Sequence, residues 1–355
     1  MRNNTSLALA KRERYDEFYT TYDEIERELS HYLSINPNLF RRKVVVCPCD
    51  DPTRSQFCQY FLEHFMEYGL ERLICTCIAA DGEAHGKIMD IDRTTALFGI
   101  NLSDPWSEDL DGDGDFRSPE VRALIGIADI VCTNPPLSLF GEFFDIIKDK
   151  LYIVIASQTA PTLSNVFPYL KENKLWRGTR WHNRVNKKCM RFQLPDGVPA
   201  RGLETEIIDG KVYASVPNVG WLTNILHDSM PQPMKLSMMY ENIRNSKFPA
   251  LHEHGYDFVV NYIDPILNVP YVQAIPLNWE GLMAVPISFL EYYCPSQFEI
   301  VSISSDRHWL YPEADKVHIS KEEDPQYRNL NGTCCTWEHK KYKPLFTRLI
   351  IKRKS

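Results

Sequence analysis

Ala128-Asp129-Ile130-Val131-Cys132-Thr133-Asn134-Pro135-Pro136-Leu137 is the stretch on which the reading of this chain turns. Its apolar run has the length of a buried strand and stops at two consecutive prolines. Proline lacks a backbone N–H, fixes φ and pushes the preceding residue toward extended conformations, so the ladder ends in a rigid corner. In open α/β sheets, ligands bind beyond the carboxyl ends of the strands. The Asn134 side chain and the Pro135 carbonyl are therefore expected where a ligand approaches. A carboxamide oxygen beside a fixed carbonyl is a pair of acceptors suited to a planar amino group, as needed to methylate an exocyclic amine such as adenine N6. The competing structural reading is a strand-ending Pro-Pro turn with Asn as turn former.

Working outward, the pattern predicts a helix over Tyr22 to Leu33 and a buried strand over Lys43 to Cys47. The turn Pro48-Cys49-Asp50-Asp51-Pro52 follows. Thr53 or Ser55 then caps a helix carrying Phe57, Tyr60, Phe61 and Phe65. Further strands are expected at Arg72 to Ala80 and Leu151 to Ala156, and helices at Pro119 to Ile127, Phe140 to Ile147 and Thr162 to Glu172. Strands alternating with helices predict an α/β fold, a mostly parallel, doubly wound, Rossmann-like sheet. Beyond about Gly210 prolines become frequent and aromatics lose helical spacing, which predicts short strands and long loops around a smaller core. Val212 to Ser215 and Trp221 to Leu226 are expected to return and complete the main sheet, so the boundary is placed between a first domain, 1–228, and a second, 229–355.

Hydrophobic residues make up 44% of the chain and charged residues 25%, the composition of a folded globular protein rather than a disordered one. No apolar stretch approaches the ~20 residues of a membrane span, and the polar segment Met1 to Arg14 lacks the core of a signal peptide. A cytoplasmic protein, with its ten cysteines as reduced thiols, is the expectation. The net charge of −7 does not advertise a nucleic-acid binder. Its distribution is uneven, however. Arg177, Arg180, Arg184, Lys187, Lys188 and Arg191 crowd one segment beside Trp176, Trp181 and His182, and Lys340 to Lys354 hold a second basic cluster near Trp337 and Tyr342. Basic residues interleaved with aromatics suit a phosphate backbone and exposed bases, whereas either cluster alone reads better as a solvated face or basic tail.

Two further motifs invite metal. Cys47/Cys49 and Cys75/Cys77 end neighbouring strands, but residues i and i+2 of a strand sit ~7 Å apart and zinc sites favour a wider Cys-x-x-Cys knuckle, so buried thiols are expected. Asp109 to Glu120 matches the calcium-loop pattern, with Gly114 at position six and Glu120 at twelve. The incoming Ser103-Asp104-Pro105-Trp106 is a poor helix, no second loop pairs with it, and Pro119 lies inside the loop. The competing reading places Asp115 and Phe116 on a cofactor side, with Asp115 accepting from an adenine amine and Phe116 packing on its ring. No metal is expected.

These pieces together resemble the EcoRI-type adenine-N6 DNA methyltransferases. The resemblance is carried by Asp16-Glu17-Phe18-Tyr19-Thr20, Cys49-Asp50-Asp51-Pro52, Gly114-Asp115-Phe116-Arg117-Ser118 and the Asn134-Pro135-Pro136 segment. Trp221-Leu222-Thr223-Asn224, Gly281 to Leu290 and Gln297 to Val301 extend it over most of the chain, in matching order. It implies S-adenosylmethionine as cofactor, held by Phe18, Tyr19, Thr20, Cys49, Asp50, Asp51, Asp115 and Phe116, and a C-terminal target-recognition region. It also implies Asn134, Pro135, Pro136 and Leu137 as the catalytic corner. The family's aromatic after Asn-Pro-Pro is replaced by Leu137. Stacking on a base is worth ~1–3 kcal/mol, or roughly 5- to 150-fold in target binding, and Phe140 is near enough in sequence to substitute.

The chemistry this implies is methyl transfer to N6 of an adenine flipped out of double-stranded DNA. Asn134 and Pro135 would draw the nitrogen toward tetrahedral geometry and stabilise its developing positive charge. A monomer is expected, with a restriction endonuclease sharing its site as a possible partner. The alternatives are methylation of RNA adenine or a protein amide, a degenerate DNA- or cofactor-binding module, and a calcium-regulated binding protein.

Overall fold

In a computed structural model of the chain, the described residues are 18–80, 82–97, 107–179, 189–194, 203–259, 265–304 and 347–354, with the backbone alone for 335–338 and 341–344. They fall into two compact units, one continuing to Met230 and the other running from Pro231, with Leu170–Asn173 belonging to the second. The first begins with β1 (Tyr19–Thr20), α1 (Tyr22–Ile35), β2 (Val44–Cys47), α2 (Gln56–Glu63), α3 (Phe65–Tyr68), β3 (Arg72–Cys77), β4 (Lys87–Asp92) and α4 (Arg93–Leu97). It continues through β5 (Glu108–Asp109), α5 (Pro119–Gly126), β6 (Ile130–Thr133), α6 (Phe140–Ile147), β7 (Leu151–Ser157), α7 (Phe167–Lys171) and β8 (Trp176–Arg177). Strands β9 (Met190–Gln193), β10 (Glu204–Ile208), β11 (Lys211–Val216) and β12 (Val219–Thr223) follow.

Eight of these strands form one mixed sheet in the order β5-β4-β3-β2-β6-β7-β12-β8. Its centre is parallel: β2 pairs with β3 on one side and β6 on the other, and β6 pairs with β7. These strands are buried on both faces, which is why they read as uninterrupted apolar runs. The expectation of a mostly parallel sheet needs correction. Strands β4, β5, β12 and β8 all join antiparallel. A parallel neighbour needs a crossover, usually helical, and the chain from β3 to β4 returns without one.

A second correction concerns Val212 to Ser215. That stretch lies in β11 of a separate four-stranded sheet, ordered β1-β9-β11-β10, while Trp221 does return to the main sheet in β12 beside β7. The small sheet packs its Phe192, Ala214 and Val216 into the same core as Val45, Phe57 and Ile130. Through β1, which pairs Thr20 with Phe192, it carries Phe18 into that core.

Local sequence explains the helix starts. Ser55 caps α2 by accepting from the Phe57 amide at 3.1 Å, and Ser118 caps α5 from Val121 at 3.2 Å, ahead of Pro119 in the first turn. At the entry to β6, Asp129 accepts from the Val44 amide (2.9 Å) and from Lys43 (3.2 Å), setting the register of β2 against β6.

The second unit holds α8 (Met239–Arg244), α9 (Pro249–His254), β13 (Asp257–Val259), β14 (Ile266–Asn268), β15 (Met283–Pro286), β16 (Phe298–Ile303), β17 (Cys335–Glu338), β18 (Lys341–Pro344) and β19 (Arg348–Arg353). Among the described residues seven strands form one sheet in the order β16-β19-β15-β14-β13-β17-β18, with β14 and β15 paired parallel and the other described pairs antiparallel. Val259, Ile266, Ala284 and Ile350 form one buried cluster and Phe248, Leu251 and Ala274 another, while Met283, Val285, Phe289, Phe298, Ile300, Leu349 and Ile351 are buried as well. No helix among the described residues is long and apolar enough to cross a membrane.

Candidate active site

From β2 the chain moves outward to β3, then returns to the other side of β2 as β6. Strand order therefore reverses between β2 and β6, and the crevice beyond their carboxyl ends is where such sheets bind ligands. The turn Pro48–Pro52 leaves β2 at this point, and Asn134-Pro135-Pro136 leaves β6.

Asn134 is half-buried, and its Nδ2 donates to the backbone carbonyl of Phe18 at 2.8 Å. A carbonyl can only accept, so this bond fixes which way the carboxamide faces. Its oxygen, Oδ1, is left without a protein donor among the described residues. Pro135 is buried, and Pro136 (φ −57°, ψ 116°) hands the chain to a short 3-10 turn over Leu137–Leu139, closed by the Leu139 amide on the Pro136 carbonyl at 3.0 Å. The corner thus keeps its amide acceptor while both prolines hold its shape.

Leu137 is half-buried against the main core. Phe140, near enough in sequence to substitute for the missing aromatic, is turned into the core. It is 2% exposed, and its ring stacks on Phe144 with centroids 6.3 Å apart, because it opens the apolar face of α6.

On the cofactor side, Phe18 is buried beside Phe192, Tyr19 is half-buried, and Thr20 is 3% exposed. The Thr20 hydroxyl is buried and has no hydrogen-bond partner among the described residues. An orphaned buried hydroxyl is costly, and a polar ligand at the reversal point would relieve it. Cys49 is half-buried. Asp51 accepts from the Thr53 amide (2.8 Å) and hydroxyl (2.7 Å), forming the turn that leads into α2.

Asp50 is placed differently from an open ligand contact. It is 6% exposed, its Oδ1 accepts from Ser55 Oγ at 2.7 Å, and its Oδ2 accepts from Thr133 Oγ1 at 2.5 Å. The Asn134 backbone amide also donates to it. Burial pushes its pKa up to about 6, against the pull of these three donors. Sequence reasoning did not find Ser55 as a partner of Asp50, a local contact within the turn into α2, nor any role for Thr133, whose contact exists only once β2 and β6 lie side by side.

Asp115 and Phe116 are engaged internally. Both oxygens of Asp115 accept from Arg117, whose hydrogen bonds hold the carboxyl below the usual range. Phe116 is 4% exposed and meets Phe143 edge-on at 5.3 Å. The acidic loop turns inward on itself as well: Glu120 accepts from the Asp111 (2.9 Å) and Gly112 (3.0 Å) amides, and Asp113 from the Asp115 amide (3.0 Å). No group of three His, Cys, Asp or Glu among the described residues is placed to hold a metal ion. Cys47 and Cys75 face each other in register as free, buried thiols pushed up by burial.

Of the basic residues, Arg177 is turned inward at 9% exposure, so the expected phosphate contact does not fit its placement. Arg191 is half-exposed on β9 and pairs with Glu206. Arg180, Arg184, Lys187 and Lys188 lie outside the described residues.

A strand-order reversal flanked by an amide acceptor corner and a polar turn is a place where an α/β enzyme can hold a ligand's amino group. The comparisons make the class specific. The profile described as adenine-specific methyltransferase EcoRI matches residues 6–354. The Type II methyltransferase M.EcoRI of Escherichia coli is 36% identical over 313 residues, covering 84% of this chain and 89% of that one. Type II methyltransferases M.MpnI of Mycoplasma pneumoniae and M.MgeORF184P of Mycoplasma genitalium are 28% and 30% identical, each with 97% of both chains covered. No solved structure matches the chain. The chain belongs to the EcoRI family of adenine-specific methyltransferases.

Proposed function

We propose that this enzyme transfers a methyl group from S-adenosylmethionine to N6 of an adenine flipped out of double-stranded DNA, at the corner formed by Asn134, Pro135, Pro136 and Leu137. The observation that carries the reading is the Asn134 carboxamide, tied through Nδ2 to the Phe18 carbonyl so that Oδ1 remains an open acceptor.

Adenine N6 is a poor nucleophile because its lone pair is delocalised into the ring. Asn134 Oδ1 and the Pro135 carbonyl accept from N6–H₂, draw the nitrogen toward tetrahedral geometry and stabilise the positive charge that grows on it. Bound S-adenosylmethionine supplies an electrophilic methyl group. Phe18, Tyr19, Thr20, Cys49 and Asp51 are the residues that would hold it, with the orphaned Thr20 hydroxyl gaining a partner. Leu137 offers the flipped base an apolar face. Asp115 and Phe116 support the cofactor side from behind, through Arg117 and Phe143.

In this reading, residues 1–228 are a Rossmann-like catalytic domain and 229–355 a target-recognition region. Arg191 and the segment Arg180, Arg184, Lys187 and Lys188 contact the duplex, and the enzyme is a cytoplasmic monomer. The Type II names of its relatives support a restriction endonuclease that shares the site.

The test is incubation of the purified protein with methyl-labelled S-adenosylmethionine and duplex DNA, in parallel with RNA and protein, followed by digestion and identification of the labelled nucleoside. N6-methyladenine from duplex DNA is expected, and label on cytosine, RNA or protein alone overturns the reading. Asn134→Ala should lower kcat by roughly 100-fold or more while leaving cofactor affinity nearly intact.

A further inference from the structure

We propose that Asp50 is a positioning residue for the acceptor corner, holding Asn134 in its working place through Thr133 Oγ1 and the Asn134 backbone amide. The proposal rests on the methyl-transfer reading of that corner and adds a residue that neither touches the methyl group nor binds the base.

One carboxylate joins three elements at the reversal point. Asp50 belongs to the turn after β2, Ser55 to the cap of α2, and Thr133 to the last position of β6. The turn is strapped to β3 as well, by the Asp50 amide on the Thr76 carbonyl at 2.8 Å and by the Thr76 hydroxyl on the Pro48 carbonyl at 3.2 Å. Thr133 is fully buried and immediately precedes Asn134. The two prolines fix the inner shape of the corner, but they do not fix its attachment to the sheet. Asp50 does that, because it grips the residue before Asn134 and the amide of Asn134 itself.

Every contact to the carboxylate is a donor pointing at it. Ser55 Oγ accepts from the Phe57 amide, so its one hydrogen is free to face Asp50. An ionised carboxylate, an acceptor at both oxygens, satisfies the hydroxyl of Thr133, that of Ser55 and the Asn134 amide together, whereas a protonated one brings a hydrogen of its own into a ring of donors. The surroundings oppose such a charge. Burial and, on its own turn, Asp51 disfavour the ionised form. The other titratable groups facing it, Cys47 on β2, Cys49 beside it, Cys58 on α2, Cys77 at the end of β3 and Cys132 on β6, are neutral thiols pushed up by burial and by the Asp50 charge itself. A buried carboxylate that ties β6 to the turn after β2, directly before Asn134, is placed to position the corner. As pH falls through about 6, Asp50 takes up a proton, one donor loses its acceptor, and the corner loosens.

The experiment compares the wild-type chain with Asp50→Asn, Thr133→Val and Thr133→Ser, each checked for folding by its thermal melt. Duplex substrate gives kcat and KM between pH 5 and 9, and calorimetry gives the affinity for S-adenosylmethionine. At neutral pH Asp50→Asn should lose about tenfold or more in kcat with cofactor affinity changed less than about threefold, since a displaced acceptor spoils alignment rather than binding. The acidic limb of the wild-type kcat profile near pH 6 should vanish in that variant. Thr133→Val should lower kcat similarly, and Thr133→Ser should restore most of it, which also serves if Asp50→Asn does not fold. Unchanged kcat with the limb retained overturns the proposal, as does a loss confined to cofactor affinity, which makes Asp50 a cofactor ligand. Asn134→Ala separates the two layers: if it is inactive while Asp50→Asn is unimpaired, only the positioning role fails. If Asn134→Ala retains its rate, the methyl-transfer reading fails.

Discussion

Asp50 carries a stability cost whose sign can be worked out. Its pKa is raised from 3.8 to about 6 in the fold. Between those values the folded chain holds a proton that the unfolded chain has released, so this residue's contribution favours folding at low pH and is lost as pH rises through 6. The difference amounts to about 3 kcal/mol. Asp50→Asn removes the titration, so its melting temperature relative to wild type should be higher at pH 8 than at pH 5. Paired thermal melts of the two proteins at both pH values check this, and a gap that does not change with pH contradicts it. The residue scale is also where the sequence is only partly readable. Asn134 stands out because two prolines leave it little structural reason to be there. What orients its amide is a backbone carbonyl 116 positions earlier, which carries no side-chain signature. Asp50 and Asp51 look alike in sequence, yet one is buried under three donors and the other turns a solvent-side loop.

At the scale of elements, the carboxyl end of β3 is closed by two glycines meeting back to back. A Cβ on Gly86 would lie 2.5 Å from the Cys77 carbonyl oxygen and 2.6 Å from the Gly114 Cα. A Cβ on Gly114 would collide with the same carbonyl, at a φ of +76° that side chains rarely adopt. The turn after β2 holds no glycine, and the close backbone approach lies instead where β3 meets the acidic loop. Gly114→Ala should destabilise the protein by roughly 2 kcal/mol or more, and Gly86→Ala by a similar amount. Urea titration of each variant measures it. Equal stability to wild type would mean that the two loops do not need this approach. The same region shows why legibility varies between elements. β2, β6 and β7 are buried on both faces and announce themselves as apolar runs, and α6 announces itself by Phe140, Phe143, Phe144 and Ile147 on one face. β4 does not, because Lys87, Asp90 and Asp92 interrupt it and only Met89 and Ile91 are buried. For Val212 to Ser215 the pattern identified a strand but held no information about which sheet it would join, since either partner buries the same side chains.

The whole molecule is acidic, at a net charge of −7, so its long-range field repels a polyanion. Binding to a duplex then depends on local basic faces strong enough at short range to outweigh that field, and the structure narrows where these are. Arg177 is interior and Arg191 is already paired with Glu206, which limits what the first unit's described residues contribute. On the second unit, Lys352 and Lys354 are exposed at the end of β19 and just beyond it, with Arg353 half-exposed between them. If they touch phosphates, each releases counterions on binding and contributes about 0.9 to the slope of log affinity against log salt. The double variant Lys352→Gln, Lys354→Gln should therefore flatten that slope by about 2 and weaken target and non-target duplexes alike, because phosphate contacts carry no sequence information. Fluorescence anisotropy over a salt series, with a methylatable and a scrambled duplex, measures both quantities. An unchanged slope would put the phosphate contacts elsewhere, and weakening confined to the methylatable duplex would make these lysines readers of sequence rather than of charge.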